Sequence, residues 1–235
     1  MREYTVNCYK VRSSLADSLA FSPIKKLHLS SGTIMVDETQ KSEKHQARMQ
    51  KVKDKVDARV DAATDERGIL IVITGNGKGK STSGFGTLTR AVGHGLNAAA
   101  IQFIKGTWAC GERNVLEKLG VPFHVMATGF TWNTQDKTAD ITAAKIVWEE
   151  AKKLLADETI DVVLLDELTY MLSYKYLDLD EVLDAIANRP PMQHVIATGR
   201  GAHRSLVELA DTVSEVQSIK HAFDNKIKAQ KGIDW

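Results

Sequence analysis

Cysteine and proline are scarce in this 235-residue chain, which contains two cysteines and four prolines. Cys8 and Cys110 cannot form a disulfide framework, so we expect a protein of the reducing cytoplasm. The seven histidines show no spacing typical of a zinc site. No apolar run approaches the roughly 18 residues needed to cross a membrane. The sequence therefore argues against disulfide-stabilised, zinc-binding and membrane-spanning classes of protein.

An excess of charge of either sign is also missing. Lys plus Arg total 31 and Asp plus Glu total 30, which gives a formal net charge of +1. Proteins that bind nucleic acid usually carry a clustered basic excess, so no nucleic-acid partner is expected. The length allows one α/β domain with a substantial core, or at most two small domains.

The most informative stretch runs from residue 69 to residue 82. Five apolar residues from Ile69 to Ile73, four of them β-branched, predict a strand buried on both faces. A glycine-rich turn follows, and a helical pattern opens at Lys80. The N–H groups of such a turn point into one concavity at a helix N-terminus, which favours an anion. The residues expected to bind a nucleotide are Gly75, Asn76, Gly77, Lys78, Gly79, Lys80, Ser81 and Thr82.

Lys80 and Ser81 carry the expected chemistry of this loop. The lysine supplies a positive charge to the phosphates, and the serine hydroxyl is placed to ligate a Mg²⁺ or Mn²⁺ ion that they carry. The usual pattern G-x-x-x-x-G-K-S/T requires glycine at position 74, where this chain has Thr74. A tight turn with solvated lysines is the alternative. The strand, the helix and the Gly-Lys-Ser sequence together favour a phosphate-binding loop.

The N-terminal part of the chain differs from the rest. Residues 1–34 show no sustained hydrophobic period, and Pro23 and Gly32 interrupt the plausible helices. We interpret residues 1–34 as a disordered or dispensable extension; a targeting peptide is the alternative, although no apolar core supports it. Residues 35–67 are highly charged and predict an amphipathic helix that covers its own domain or a partner subunit, unless it is freely solvated. Its apolar stripe comprises Met49, Val52, Val56, Val60 and Ala63.

Strands and helices alternate through residues 68–235. The apolar and helical patterns predict strands at 69–73, 98–105, 121–126, 160–165, 193–198 and 212–217, with helices at 80–94, 112–119, 136–156, 180–188 and 203–209. Such alternation implies right-handed crossovers and a mostly parallel sheet covered on both faces. We therefore predict one doubly wound α/β domain with an N-terminal helical appendage.

Charged residues follow several of the predicted strands. Ligands of such sheets bind outside the carboxyl ends of the strands. Asp166 and Glu167 end a buried strand, as in a Walker B element that holds the metal or its waters. Arg200 stands between two glycines after another strand and can reach inward. Arg90, near the end of the loop helix, is a second candidate for the phosphates, with an ordinary surface arginine as the alternative.

Several motifs together closely resemble the ATP:corrinoid adenosyltransferases, RecA-like P-loop enzymes of cobalamin synthesis and salvage. The resemblance covers about residues 44–235 and leaves residues 1–34 outside. Ser81 and Trp235 stand where many relatives have threonine and tyrosine, and both keep the chemical type. The motifs are GNGKGKS (75–81), QFIKGTW (102–108), MATGFTW (126–132), LDELTY (165–170), TGRG (198–201) and KHAF (220–223) followed by GID (232–234).

The resemblance implies transfer of the 5′-deoxyadenosyl group of ATP to the cobalt of a reduced corrinoid, while triphosphate leaves. The protein must then position the reactants and neutralise a highly anionic leaving group. Lys80, Arg90 and Arg200 are the expected catalytic residues, assisted by Lys78 and the metal. In this family the triphosphate is thought to lie in the loop in the sense opposite to ordinary P-loop enzymes. The altered loop opening at Thr74 is compatible with that.

Phe130 and Trp132 lie on a loop at the same edge, where an exposed aromatic pair suggests a flat ligand. They match the corrinoid-facing aromatics of the family, which are thought to displace the lower axial ligand and leave four-coordinate Co(II). Co(II) is then easier to reduce, so flavodoxin or free reduced flavin is the expected electron donor. The N-terminal helix resembles the segment that closes over the active site, and we expect a homodimer.

Two other functions remain compatible with the residues alone. An ordinary P-loop ATPase or kinase would use Glu167 as a base and release ADP. A RecA-like nucleic-acid-binding module would use ATP as a switch, although the balanced charge argues against it.

Overall fold

The computed structural model of the chain describes residues 32–104, 110–126 and 137–234. The chain divides into two compact units, the first ending at Thr64 and the second beginning at Asp65. Helix α1 of the first unit spans Gly32–Asp61. We expected Gly32 to interrupt a helix, but it is the first residue of α1, where the N–H group has no intrahelical partner to lose. The apolar stripe of α1 is exposed at Met49, Val52, Val56 and Val60.

The second unit is built on a six-stranded sheet in the order β3-β2-β4-β5-β1-β6, and every pair is parallel. The prediction of a doubly wound α/β domain with an N-terminal helix is confirmed. The strands are β1 (Leu70–Thr74), β2 (Ala98–Gln102), β3 (Phe123–Val125), β4 (Val162–Asp166), β5 (His194–Thr198) and β6 (Thr212–Glu215).

Helices follow the strands and cover the sheet on both sides. They are α2 (Lys80–Gly93), α3 (Gly111–Leu116), α4 (Lys137–Leu155), α5 (Leu168–Ser173), α6 (Leu179–Ala187) and α7 (Arg204–Leu209), with 3₁₀ turns at Glu117–Leu119 and Ala222–Asn225. Helix α5 was not predicted: it begins directly after the predicted Asp-Glu pair, and Glu167 at its N-cap makes no side-chain capping hydrogen bond. None of the helices in the described ranges combines the length and the hydropathy that a membrane span requires.

Alternate residues of each central strand face opposite cores. One core lies under α2 and α3 and includes Ile73, Ala100, Leu164, Ile196, Phe85, Leu88 and Leu116. The other lies under α4 to α7 and includes Val72, Ile101, Leu165, Ala197, Trp148, Met171, Ile186 and Leu206. Because these central strands are covered on both faces, β1, β2 and β4 are apolar up to the last residue at the carboxyl end, and β5 is apolar from Val195 to Ala197. Polar residues therefore first become possible at that edge of the sheet.

Gly84 allows α2 to pack closely on the middle of the sheet. A Cβ atom at this position would lie 2.9 Å from Leu164 Cδ1 and 3.1 Å from Thr198 Cγ2. A Cβ atom at Gly86, on the same helix, would meet nothing within 4 Å. The sheet is thus in contact with the helix backbone at Gly84, one turn after the phosphate-binding loop.

We expect Gly84→Val to lower the free energy of unfolding by about 2 kcal/mol, because the added methyl groups overpack this contact. Gly86→Val is the matched control and should change it by less than about 0.5 kcal/mol. Urea unfolding of both variants measures the difference. Equal effects would show that α2 does not depend on this close approach.

Candidate nucleotide-binding site

The turn after β1 is held against the segment that follows β6. Gly75 and Gly79 have φ angles of 103° and 119°, which favour glycine. A Cβ atom at Gly77 would lie 2.6 Å from the Gln217 carbonyl oxygen, so a side chain has no room there. The Gly77 N–H donates a 2.7 Å hydrogen bond to the Val216 carbonyl. Contacts with the segment after β6 therefore define the shape of the loop.

Lys80 is buried at the first residue of α2, with 7% of its surface exposed. Its ammonium group donates a 2.7 Å hydrogen bond to the carbonyl of Gly77. Burial lowers the pKa of Lys80; the negative charge of Glu167 opposes this shift, and the positive charge of Arg200 adds to it. A buried cation with a single loop carbonyl as partner is well suited to receive an anion.

A row of buried polar side chains ends three neighbouring strands on the α2 side of the sheet. Asp166, Thr198 and Gln102 are each 0% exposed. Thr198 donates a 2.7 Å hydrogen bond from its hydroxyl to Asp166 Oδ1, and the Gln102 amide donates to Asp166 Oδ2 at 3.3 Å. The Oε1 atom of Gln102 is buried and has no hydrogen-bond partner among the described residues. The row fixes the carboxylate of Asp166 in one orientation.

Glu167 connects β4 to α5 in an unusual backbone conformation. Its φ angle of 62° lies in the left-handed region, which non-glycine residues rarely adopt. The Glu167 N–H donates a 3.0 Å hydrogen bond to the Thr198 hydroxyl, which in turn donates to Asp166. This conformation turns the Glu167 side chain to the cleft that the phosphate-binding loop also lines. The two adjacent carboxylates thus occupy different environments, one buried and one at the cleft.

Arg200 lies in a short segment after β5 that is fixed at two points. The Thr169 hydroxyl of α5 donates a 2.6 Å hydrogen bond to the Arg200 carbonyl. The N–H of Ala202 donates a 3.2 Å hydrogen bond to the hydroxyl oxygen of Thr74, at the end of β1. The side chain of Arg200 lines the same cleft as Lys80 and Glu167.

The C-terminal segment closes one side of this cleft. Lys78 of the loop forms a 2.6 Å ion pair with Asp234, and the Gln230 N–H donates to the same carboxylate at 2.7 Å. The Lys78 hydrogen bond holds the pKa of the Asp234 carboxyl below its ordinary value. The cleft has a volume of about 600 Å³ and is lined by residues 76–82, Thr89, Gly111, Glu112, Val115, Leu116, Glu167, Arg200, His221 and residues 232–234.

The structure brings most of the predicted site residues together. The loop residues from Asn76 to Thr82 line the cleft with Glu167 and Arg200, and Asp166 is buried at the end of β4. Arg90 is exposed near the end of α2; it does not line the cleft, although its neighbour Thr89 does. Phe130 and Trp132 lie outside the described residues. All these assignments remain predictions.

Several residues of the cleft were not predicted. The sequence assigned no role to Asp234, His221 or Glu112, although the KHAF and GID motifs marked His221 and Asp234 as part of the resemblance. Thr74 was treated only as a departure from the usual loop pattern, yet its hydroxyl makes a contact that glycine cannot make. Asp234 and Thr74 were both visible in motif patterns, but their contact partners, Lys78 and Ala202, lie far away in sequence.

The donor set of the site fits a hard divalent cation. Mg²⁺ and Mn²⁺ take oxygen ligands and often retain water; Ser81 and Glu167 line the cleft, and Asp166 is buried next to Glu167. The Gln102 side chain donates a hydrogen bond to Asp166 through its amide nitrogen. Its Oε1 atom has no partner among the described residues and can accept a hydrogen bond from water. Within the described ranges, no group of three or more His, Cys, Asp or Glu side chains could hold a metal. An ion here would therefore need phosphate or water oxygens as further ligands.

Comparison with known proteins agrees with this geometry. The family model described as ATP:corrinoid adenosyltransferase BtuR/CobO/CobP matches residues 66–235, and a model described as cob(I)alamin adenosyltransferase N terminal matches residues 35–60. The corrinoid adenosyltransferase of Escherichia coli is 62% identical over 193 residues, which cover 82% of this chain and 98% of the relative. Its Pseudomonas aeruginosa counterpart is 48% identical over 203 residues, 86% of this chain and 100% of the relative.

The parallel sheet, the glycine-rich loop and the lysine at the start of α2 define a P-loop nucleotide-binding protein of the doubly wound α/β class. The matches are more specific than that class. The chain belongs to the ATP:corrinoid adenosyltransferase BtuR/CobO/CobP family and is therefore a transferase.

The ion pair between Lys78 and Asp234 leads to a prediction about ATP affinity. The Asp234 carboxylate is negatively charged at neutral pH. Because its pKa is lowered, this charge, and with it the ion pair, is lost only as the pH falls through the lowered pKa. Asp234→Asn should lower the KM for ATP about threefold at pH 7, since Lys78 is then free to bind phosphate. Asp224→Asn is the matched control, because Asp224 is exposed and does not line the cleft. A higher KM in Asp234→Asn would mean that ATP binding requires the C-terminal segment to be fixed to the loop.

Proposed function

We propose that this enzyme transfers the 5′-deoxyadenosyl group of ATP to the Co(I) centre of a corrinoid and releases triphosphate. The products would be adenosylcobalamin or adenosylcobyrinic acid a,c-diamide, in cobalamin biosynthesis and in corrinoid salvage. One observation carries the proposal: the cations of Lys80 and Arg200 face one cleft in a chain of this family. That arrangement suits a leaving group with several negative charges.

In the proposed reaction the Co(I) of the substrate corrinoid attacks the 5′ carbon, and the C–O bond to the triphosphate breaks. The nucleophile is part of the substrate, so the protein needs no serine, cysteine or histidine nucleophile. Lys80 would exchange its Gly77 carbonyl for a phosphate oxygen, and Lys78 and Arg200 would neutralise the remaining charge. Arg90 remains a candidate for the same role, reaching the cleft from the end of α2.

The orientation of the nucleotide is part of the proposal. The N–H of Gly77 already donates to the Val216 carbonyl, and the Thr74 hydroxyl accepts a hydrogen bond from the N–H of Ala202. These two contacts change the set of donors that the loop can offer to phosphates at its beginning. They support a triphosphate that lies in the loop in the sense opposite to ordinary P-loop enzymes, with the 5′ carbon exposed to the corrinoid.

Ser81, Asp166 and Glu167 would hold Mg²⁺ or Mn²⁺ together with the phosphates. When bound, the ion would offset the negative charge that develops on the triphosphate. Asp166 is held in place by Thr198 and Gln102, so it can orient water or an ion without rearrangement. Glu167 reaches the cleft directly and balances the positive charge of Lys80 before the nucleotide binds.

The corrinoid side of the site is proposed from the family resemblance. Phe130 and Trp132 would contact the corrin ring and displace the lower axial ligand, so that flavodoxin or reduced flavin can reduce Co(II) to Co(I). We further propose a cytoplasmic homodimer in which α1 closes over the site of the partner subunit, and a dispensable segment at residues 1–34. The exposed apolar stripe of α1 is suited to such a contact.

The product of the nucleotide separates this proposal from a P-loop ATPase or kinase. We expect an anaerobic mixture of the protein, ATP and chemically reduced cob(I)alamin to give adenosylcobalamin and intact triphosphate in equal amounts. Lys80→Ala should lower both products by about a hundredfold, because a buried cation beside the leaving group is lost. Lys118→Ala, an exposed lysine outside the cleft, should leave both unchanged.

ADP as the main product of that mixture would instead favour the ATPase or kinase, with Glu167 as its base. DNA or RNA binding that weakens steeply with salt would revive the nucleic-acid-binding module.

The role of Trp132 can be tested through the oxidation state of cobalt. Trp132→Ala should lose far more activity with cob(II)alamin and reduced flavodoxin than with cob(I)alamin. Cob(I)alamin is already reduced, so its axial ligand no longer has to be displaced. Phe130→Ala should behave in the same way. Trp148→Ala is the control, since Trp148 is 2% exposed in the core and its loss should depress both assays together with thermal stability. Equal losses in both assays for Trp132→Ala would contradict the axial-ligand role.

A further inference from the structure

The segment that carries Arg200 would have little intrinsic rigidity. It reads Gly199-Arg200-Gly201, and both glycines have positive φ angles, of 133° and 60°. Glycine loses more backbone entropy on ordering than any other residue, so a cation placed between two glycines needs external fixation. The structure supplies that fixation through hydroxyl groups on two other elements.

We infer that Thr74 and Thr169 are positioning residues that hold Arg200 at the phosphate site. This inference rests on the proposed function, in which Arg200 neutralises the triphosphate. Neither threonine needs to contact the nucleotide. Thr169 fixes the segment on the α5 side, and Thr74 fixes it at the end of β1, immediately before the phosphate-binding loop.

The Thr169 contact is the closer of the two. Thr169 is 0% exposed, and its hydroxyl donates to the Arg200 carbonyl at 2.6 Å. A Cβ atom at residue 199 would lie 2.2 Å from the Thr169 hydroxyl, so only glycine lets the segment approach it. Gly199 is itself held to the neighbouring strand, because its N–H donates to the Ile73 carbonyl at 3.2 Å. The two contacts fix the backbone at the N–H of Gly199 and at the carbonyl of Arg200.

The Thr74 contact fixes the chain on the C-terminal side of Arg200. The N–H of Ala202, two positions after Arg200, donates to the Thr74 hydroxyl oxygen at 3.2 Å. The next residue after Thr74 is Gly75, the first of the loop that leads to Lys80. Hence the Thr74 side chain links the segment that carries Arg200 to the loop that carries Lys80. A glycine at position 74, as the usual loop pattern requires, would lose this connection.

Arg200 is already close enough to act on the loop lysine. Its positive charge contributes to the lowered pKa of Lys80, after the effects of burial and of Glu167. Two cations held near each other without a ligand repel, so the arginine would tend to move away if its segment were free. The hydroxyl contacts oppose that movement and keep both charges directed to the site that the triphosphate would occupy.

The test is a double-mutant cycle between each threonine and Arg200. Thr74→Val and Thr169→Val keep the side-chain shape but remove the hydroxyl, and each should lower kcat/KM for ATP about tenfold with cob(I)alamin as acceptor. In the Arg200→Ala background the same two substitutions should cost less than about twofold, because the group that they position is gone. A purely structural role would give the same loss in both backgrounds.

Serine variants and a remote threonine provide the controls. Thr74→Ser and Thr169→Ser retain the hydroxyl and should restore activity to within about twofold of the wild type. The Thr159 hydroxyl donates a hydrogen bond to Asp157 just before β4, at the amino ends of the strands and therefore at the opposite end from the cleft. Thr159→Val removes this hydroxyl and should have no effect on kcat/KM. Thermal unfolding of every variant separates misfolding from mispositioning, and the serine and valine pairs can be compared at either position.

Each outcome has a definite meaning. Non-additive losses with serine rescue support the inference. If Arg200→Ala is impaired and the threonine losses are the same in both backgrounds, the positioning inference fails while the proposed role of Arg200 stands. If Arg200→Ala has near-normal activity, the role of Arg200 in the proposed function fails, and the positioning inference fails with it.

Discussion

The site depends on keeping one buried carboxylate fully hydrogen-bonded. Asp166 lies at the end of a central strand with no exposure to solvent, and a charge in such a place is costly unless it is paired. Thr198 and Gln102, from the strands on either side, both donate to it. The same Thr198 hydroxyl accepts the N–H of Glu167 and so sets the turn into α5. Hence the hydrogen bonds that Asp166 requires connect the ends of β2, β4 and β5.

Charges in the cleft are balanced within the protein before a nucleotide binds. Lys78 pairs with Asp234, and Lys80 interacts with its own loop carbonyl while Glu167 lies nearby. Under the proposed function, a triphosphate would displace these internal partners. The cleft thus combines cations with nearby carboxylates, in keeping with a chain whose net charge is only +1.

Local patterns were sufficient for much of the fold and part of the site. The apolar run before the glycine-rich turn, and the one before Asp166, predicted buried strands because strands covered on both faces must be apolar throughout. Carboxyl ends of parallel strands meet at one edge, which is why Glu167 and Arg200 could be expected beside the loop. Helix α5 was missed because it follows the end of β4 with one residue between, and that residue, Glu167, makes no side-chain capping hydrogen bond.

Contacts between distant parts of the chain could not be read from the same patterns. The pairing of β1 with β5 and β6, the Lys78–Asp234 ion pair and the hydrogen bond between Ala202 and Thr74 each join segments more than a hundred residues apart. Nothing in the local sequence distinguishes a threonine that completes such a contact from one that faces water. The departure at Thr74 was visible in the loop pattern, but its physical reason appears only when β1 and the segment after β5 lie side by side.

The backbone of Glu167 has a consequence for the evolution and engineering of this enzyme. A left-handed φ angle at a residue with a Cβ atom costs about 1 kcal/mol, and glycine would adopt it freely. A search for more thermostable versions of the protein would therefore be drawn to Glu167→Gly, the replacement that removes the carboxylate from the cleft. At this position a less restricted backbone and a carboxylate at the cleft exclude one another, so a gain in stability would change the charge of the site.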